Sequence, residues 1–510
     1  MRLNRRLTTL LVAVLLVTVV AGCSKPAETG KSEDTKPLVI AMSKEAATLD
    51  MHQGVGTYTA SVLFHLYDAL TWRTPEGNVE PKLAESYKAL DDTTWEFKLR
   101  KDVKFHNGEP FTAEAVKYNV ERIQNPEYKS RLAGDFAMIE RVDVIDENTV
   151  HIVTKRPYPG LPLRLTYLGM VPPKYTAEVG DAEFAEKPVG TGPYKFVEWV
   201  HGEKIVLEAN EDYFLGAPKI KQVIFKTIPE DGTRMVALET GEADIITQVP
   251  PSELKRLESK EGLSVVSGPT TRAIFVGLDT LKGGPLAKKE VRQALNYAVN
   301  REQIVDTILQ GLGKPVANLV LPQFDGYAED IAPYPYDPEK AKELLAAAGY
   351  PDGFSTSLAV VPGSVEGVKE VAEAIAADLG QVGVKVEVKT MEAARQLQLE
   401  LEHKTDPMFM SGLGGPYADA ELLIRISTGT GQRYSNYSNP ELDALVEKAA
   451  SCMDDAQRDE LWREVQLKLM DEAPLLYLYQ RYAGYGVRDR VKGWQPRLDE
   501  LVLSYGASLE

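Results

Sequence analysis

Between residues 354 and 390 the chain reads as strand, helix, strand, and that order restricts the fold more than any other stretch. "FSTSLAVV" is strand-like; "SVEGVKEVAEAIAADLGQ" continues as a helix, a glycine stops it, and "VKVEVKT" alternates at period two. Two strands joined through a helix in one sheet run parallel, because a parallel pair needs a long crossover. Just upstream, "DPEKAKELLAAAGY" carries Asp337 as a cap, Pro338 in the first turn and Gly349 past the end, the order in which a helix satisfies its free amides and carbonyls. "TTWEFKLRKDVKF", "NTVHIVT", "KIVLEA" and "QVIFKTI" add further strands. Strands and helices thus alternate throughout, without repeats, as in an α/β or α+β protein.

The start of the chain has a different character. "MRLNRRLTTLLVAVLLVTVVAGC" has a basic beginning, an apolar run and small residues before Cys23, the pattern of a secretory signal peptide over 1–22. A cysteine at that point resembles the bacterial lipoprotein signal, in which it is lipid-modified and becomes the first mature residue. Residues 23–37 are polar and form a lipid-anchored tether. Beyond them no apolar run reaches the ~18 residues of a membrane helix.

With 44% hydrophobic and 26% charged residues over 510 positions, the chain can build a substantial core, in two or three domains. Its formal charge of −17 becomes −20 once Arg2, Arg5 and Arg6 are removed with the leader. That balance excludes nucleic acid as a partner. Cys23 belongs to the signal, so Cys452 has no cysteine to pair with and reads as a half-buried structural thiol.

No phosphate loop, G-x-S-x-G, H-E-x-x-H or paired-cysteine motif occurs, and the six histidines are scattered singly. Neither a catalytic residue, a metal ligand set nor a cofactor is therefore expected. His52, in the glycine-rich connection "LDMHQGVGTY", is the histidine placed where loops carry function. In "FHNGEPFTAEAVKYNVER" an Asn-Gly turn precedes a helix that Thr112 can cap, and "GTGPY" is a turn before the strand "YKFVEWV".

Several stretches together, among them "LYDALTWRTPEGNVEPKLAESY", "WEFKLRKDVKFHNGEPFTAEAVKYNVER", "PVGTGPYKFVEW", "NEDYFLGAPKIKQVIFKTI" and "YSNYSNPELDALV", resemble the extracytoplasmic solute-binding proteins of the peptide/nickel class (family 5). These feed ATP-binding-cassette importers. The resemblance implies an α/β clamp of two lobes, like a periplasmic binding protein, with a smaller domain inserted near the N-terminus. The first lobe would comprise 38–56, 185–270 and 482–510, the insert 57–184 and the second lobe 271–481. It implies a monomeric, non-catalytic receptor held at the bacterial membrane by its lipid. The receptor would close on a short peptide or amino-acid-derived solute and deliver it to a membrane permease. A metal-chelate receptor of the same fold is an alternative, and a secreted hydrolase or structural surface lipoprotein a further one.

For the site, the resemblance points to "SGLGGPYADAELL". Pro416 falls where peptide receptors carry the aspartate that anchors the peptide amine, Asp419 takes a later acidic position, and Tyr417 matches the tyrosine of a nickel-chelate segment. Leu413 replaces that group's tryptophan. Through "RVDV", Arg131 aligns with a cleft arginine whose planar donors suit a carboxylate. Arg131, Tyr417, Asp419 and His52 are the expected ligand-binding residues, and Cys23 the lipidation site.

Overall fold

The strand-helix-strand unit of the sequence becomes one end of a large mixed sheet in the computed structural model, which describes residues 36–510 apart from Pro416 and Tyr417. The expected leader, Cys23 and most of the tether, like Tyr417, lie outside the described residues. In chain order the main strands are β1 (Leu38–Met42), β2 (Tyr194–Val200), β3 (Lys204–Ala209), β4 (Gln222–Thr227), β5 (Ile245–Thr247), β6 (Leu263–Leu278), β7 (Phe354–Val360), β8 (Val384–Thr390), β9 (Met408–Leu413) and β10 (Leu475–Arg488). Across the sheet they run β8-β7-β9-β6-β10-β5-β1-β4-β3-β2. β7 and β8 pair in parallel from Phe354↔Val384 to Val360↔Thr390, as their helical connection requires. β1 is parallel to both β4 and β5.

Two strands hold the sheet together. β6 and β10 are antiparallel along most of their length, and each is shared between the two ends of the sheet. The first half of β6 pairs with the last half of β10, beside β5; the second half of β6 pairs with β9. The expected lobe boundaries at 270/271 and 481/482 fall inside these two strands. There the ladder breaks: Pro269 opposes Tyr482 and Ala273 opposes Gln480, so Thr270, Thr271 and Arg272 face Arg481 alone. Such a bulge bends a strand and re-aims its side chains. Buried polar groups fix its shape. The Thr270 hydroxyl donates to Arg481 O at 2.8 Å, and Gln480 Nε2 donates to Thr270 O at 2.7 Å.

A separate antiparallel sheet is built from 84–89, 94–99, 149–154 and 139–146 in that spatial order. Trp95, Phe97 and Leu99 turn inward, as their alternation predicts, and meet the buried face of the helix Ala113–Gln124 in a core continuous with β1, β3 and β4. Thr112 stands at the N-cap of that helix, but its side chain makes no capping bond; the residue type fits the position and the hydroxyl is not used. Asp337, by contrast, accepts from Lys340 N at 2.9 Å and caps its helix as expected, and Gly349 has φ +91° just past the end. The "GTGPY" glycines do more than turn the chain. A Cβ on Gly190 would lie 2.0 Å from Leu66 O, so the segment packs directly on the helix Thr57–Leu66. Cys452 is half-buried, in keeping with a structural thiol.

Candidate functional site

Parallel strands deliver their carboxyl ends to a single edge of the sheet, and in open α/β sheets ligands bind outside that edge. Here β1 ends at Met42, β5 at Thr247, β7 at Val360 and β8 at Thr390, and all four end residues line one cavity of about 600 Å³. The volume is within the range of small-molecule sites. Its floor is the bulge of the crossing strands, through Arg272 and Arg481. One wall comes from the helix start at Thr57 and Tyr58, from Gln248 and from the C-terminal segment at Glu500; the facing wall is the loop 362–367 and the N-terminus of the helix Val368–Gln381.

An ionic chain crosses this floor. Arg481 Nε donates to Glu366 Oε2 at 2.7 Å, with a second contact from Nη2 to Glu366 Oε1, and Nη1 reaches Glu500 Oε2 at 2.5 Å. Arg272 Nε then donates to the other oxygen of Glu500 at 3.2 Å. Burial works to raise the Glu366 carboxyl, but the Arg481 guanidinium outweighs it and holds the group below the usual carboxylate range. Two guanidiniums and two carboxylates thus meet in a sheltered cleft. Ser43 donates to Gln248 Oε1 at 2.7 Å, with the Tyr58 hydroxyl 2.9 Å away. Burial also raises the Tyr58 phenol, which stays a neutral donor.

Two wall residues hold uncommon backbone. Gln248 (φ +57°) and Glu500 (φ +62°) lie in the left-handed region although neither is glycine. Such strain costs about 1–3 kcal/mol and persists where surroundings impose it. In both cases the result is a side chain turned to the cavity.

Of the ligand-binding residues expected from sequence, the three that are described, His52, Arg131 and Asp419, lie outside the lining. His52 is fully buried: Arg122 Nη1 donates to its Nδ1 at 2.9 Å, and its Nε2–H donates to Gly169 O at 3.1 Å. Burial, reinforced by Arg122, lowers its pKa to about 4, so it is a neutral joint between β1's following loop and the helix Ala113–Gln124 beside the smaller sheet, not a wall of the cavity. Arg131 is exposed, outside the lining. Asp419 caps the helix Ala420–Thr428 by accepting from Leu422 N at 2.8 Å, and Arg164 Nη2 stands 3.8 Å from its other oxygen. It too is outside the lining. Its loop nevertheless touches the site: Thr271 and Gly415 exchange two hydrogen bonds, at 2.8 and 3.1 Å, and Gly414 is packed so tightly that a Cβ would sit 2.6 Å from Arg272 Cα.

Sequence reading passed over Arg272, Arg481, Glu366 and Glu500. A signal existed for the two arginines, since each is the only charged residue of a largely apolar stretch, "GPTTRAIFVGL" and "LLYLYQRYAGYGV", and a charge inside such a strand needs a partner. Glu366 follows a parallel strand and so lies where ligands are met. For Glu500 the local sequence offers nothing.

Known proteins share this architecture. The profile of bacterial extracellular solute-binding proteins, family 5, middle region, matches residues 78–435. The glutathione-binding protein GsiB of Pectobacterium atrosepticum is 31% identical over 458 residues, covering 87% of this chain and 88% of its own. Among solved structures, the periplasmic binding protein DppA from Helicobacter pylori, in complex with the peptide STSA, superposes with a TM-score of 0.77 at 27% identity, over 93% of this chain and 98% of its own. AgaA from A. tumefacien R10, in complex with agropinic acid, gives 0.77 at 28% identity over 93% and 98%. The chain therefore belongs to the family 5 extracellular solute-binding proteins, the non-catalytic receptors of ATP-binding-cassette importers.

Proposed function

We propose that this protein captures a short peptide or a small amino-acid-derived solute between two lobes and hands it to a membrane permease, held at the membrane by a lipid on Cys23. The observation that carries the reading is the charge pattern of the cavity. Among the described residues, four acidic and four basic side chains line it, and a zwitterion presents both signs at once. A carboxylate would be met by the planar donors of Arg272 or Arg481, and an amine by Glu366 or Glu500. The relatives favour the same class, since by their own descriptions they bind glutathione, the peptide STSA and agropinic acid.

Closure follows from the crossing strands. A ligand that touches Glu500 on one side and Glu366 on the other gains its full contacts only when both approach, so it shifts the population toward the closed form. A micromolar ligand has about 8 kcal/mol available for this. Tyr417, next to the Gly415 loop that docks on Thr271, is a further proposed contact; Asp419, Arg131 and His52 would act by shaping the loop and the smaller domain.

Mass spectrometry of small molecules that co-purify, followed by isothermal titration with glutathione, tetrapeptides and agropinic acid, tests the ligand class. A saturable zwitterion whose affinity falls at least tenfold in Glu500→Gln supports it. Binding confined to uncharged solutes would refute it. Separately, Cys23→Ala should move the protein from the membrane fraction to the soluble one.

A further inference from the structure

We infer that the protein has a second small-molecule site, which takes a small carboxylate bearing a planar ring, in a cavity of about 270 Å³ on the far side of the wall that bounds the cleft. The two cavities share no lining residue. They share elements: the helix Thr57–Leu66 gives Thr57, Tyr58 and Ser61 to the cleft and Phe64 to the second cavity, and the C-terminal segment gives Glu500 and Val502 to one and Arg497 and Tyr505 to the other. The volume is just under the ~300 Å³ at which drug-sized sites begin, and corresponds to about nine waters, which limits the guest to a single ring and its substituent.

Lys82 sets the charge of that guest. Its ammonium lies 5.0, 5.7 and 5.5 Å from the ring centres of Trp72, Tyr213 and Tyr505, a three-sided aromatic box. Aromatic boxes hold cations, and this one already contains the protein's own, so a cationic guest is excluded. Its ion-pair partner is Asp68, which also lines the cavity, but the nearer oxygen, Oδ1, stands 3.8 Å away, longer than an ordinary N–H···O bond. That carboxylate is already occupied by the hydroxyls of Tyr213 at 3.0 Å and Thr191 at 3.2 Å. Burial lowers the pKa of the Lys82 ammonium and Asp68 offsets this only in part. An anion entering the cavity would offer the ammonium a closer acceptor than Asp68 does.

A second donor waits in the same wall. Trp494 keeps its indole N–H shielded from solvent without an acceptor. A buried donor left so is costly, and an acceptor in the cavity would recover that cost. The Arg497 guanidinium lies 4.6 Å from the Trp72 ring centre, its charge balanced by both oxygens of Asp499, and packs the box from behind. Phe64, Trp72 and Trp494 supply flat apolar faces, hence the ring on the guest. Tyr505, 39% exposed, stands at the mouth.

The test is titration of the whole mature protein with benzoate, acetate, inorganic phosphate and benzylamine, followed by calorimetry and tryptophan fluorescence. Saturable one-to-one binding of benzoate is expected, at least tenfold weaker for acetate and phosphate and absent for benzylamine. Lys82→Met should weaken benzoate at least tenfold and Trp494→Phe several-fold, and the affinity should fall as the pH rises through the titration of Lys82. Trp494→Phe preserves the ring and decides the matter should Lys82→Met fail to fold. The inference is overturned by absence of saturable benzoate binding up to about 10 mM, the regime of interactions weaker than ~2.7 kcal/mol. It is equally overturned by benzoate affinity unchanged in both variants, or by phosphate or benzylamine binding as well as benzoate.

Discussion

Replacing Glu366 with glutamine removes one charge from the floor of the cleft and leaves the shape. In the native protein Glu366 meets Arg481 with both oxygens, and the side chains are 22% and 8% exposed. An exposed pair contributes about 0.2–1 kcal/mol, whereas removing one partner of a fully buried pair costs about 3–5 kcal/mol. This pair falls between, because it is largely sheltered but Arg481 keeps Glu500 as a second partner at 2.5 Å. The expected loss is about 1–3 kcal/mol at neutral pH, read as a lower denaturation midpoint at unchanged slope. The pH dependence is the stricter test. The Glu366 pKa is lowered from 4.5 in the folded protein, so its stabilisation is present above 4.5 and disappears as the pH falls through the lower folded value. The gap between wild type and Glu366→Gln should therefore hold from pH 7 down to about 4.5 and close below it. Urea titrations across that range measure it. A gap that is absent at pH 7, or that persists unchanged to pH 3, would refute the assignment of a charged Glu366–Arg481 pair.

The buried histidines predict a second pH effect with its own window. Burial, the leading cause in each, lowers His52, His65 and His106 from 6.5 to about 4, so the unfolded chain takes up protons that the folded one refuses and stability falls between those two values. The slope near pH 5 should approach ~4 kcal/mol per unit for three such groups, and His52→Asn should flatten it by about a third in urea titrations. Thr271→Val keeps the volume but strands the Gly415 amide and carbonyl that Thr271 serves; a loss of about 2–4 kcal/mol is expected by denaturation, together with weaker binding in the cleft. Gly190→Ala drives a Cβ to 2.0 Å from Leu66 O, a backbone atom that cannot swing aside. About 3 kcal/mol or more should be lost, seen as a lowered melting temperature or insoluble expression.

How legible the molecule is depends on how far apart in the chain the interacting groups lie. The strand at 354–360, the capped helix from Pro338 and the parallel return at 384–390 follow from spacing and end signals within a dozen residues. The same local reading places Thr112 at an N-cap, and only the packed structure reveals that its hydroxyl makes no cap bond. His52 sits in a glycine-rich loop, as binding residues do, yet the fold folds that loop inward onto Arg122, 70 positions away.

The sequence by itself determined the alternation of elements, the family and the kind of chemistry to expect, because hydrophobic period, caps and turns act over short stretches of chain. The tertiary structure alone decided which charged groups meet in the cavity. Arg481 finds Glu366 across 115 positions and Arg272 finds Glu500 across 228. Those meetings exist because two crossing strands break register around Thr270–Arg272, and four parallel strands end beside that break. No local pattern encodes that convergence; long-range pairing does, and it brings charged groups that look unremarkable along the chain into one sheltered cleft.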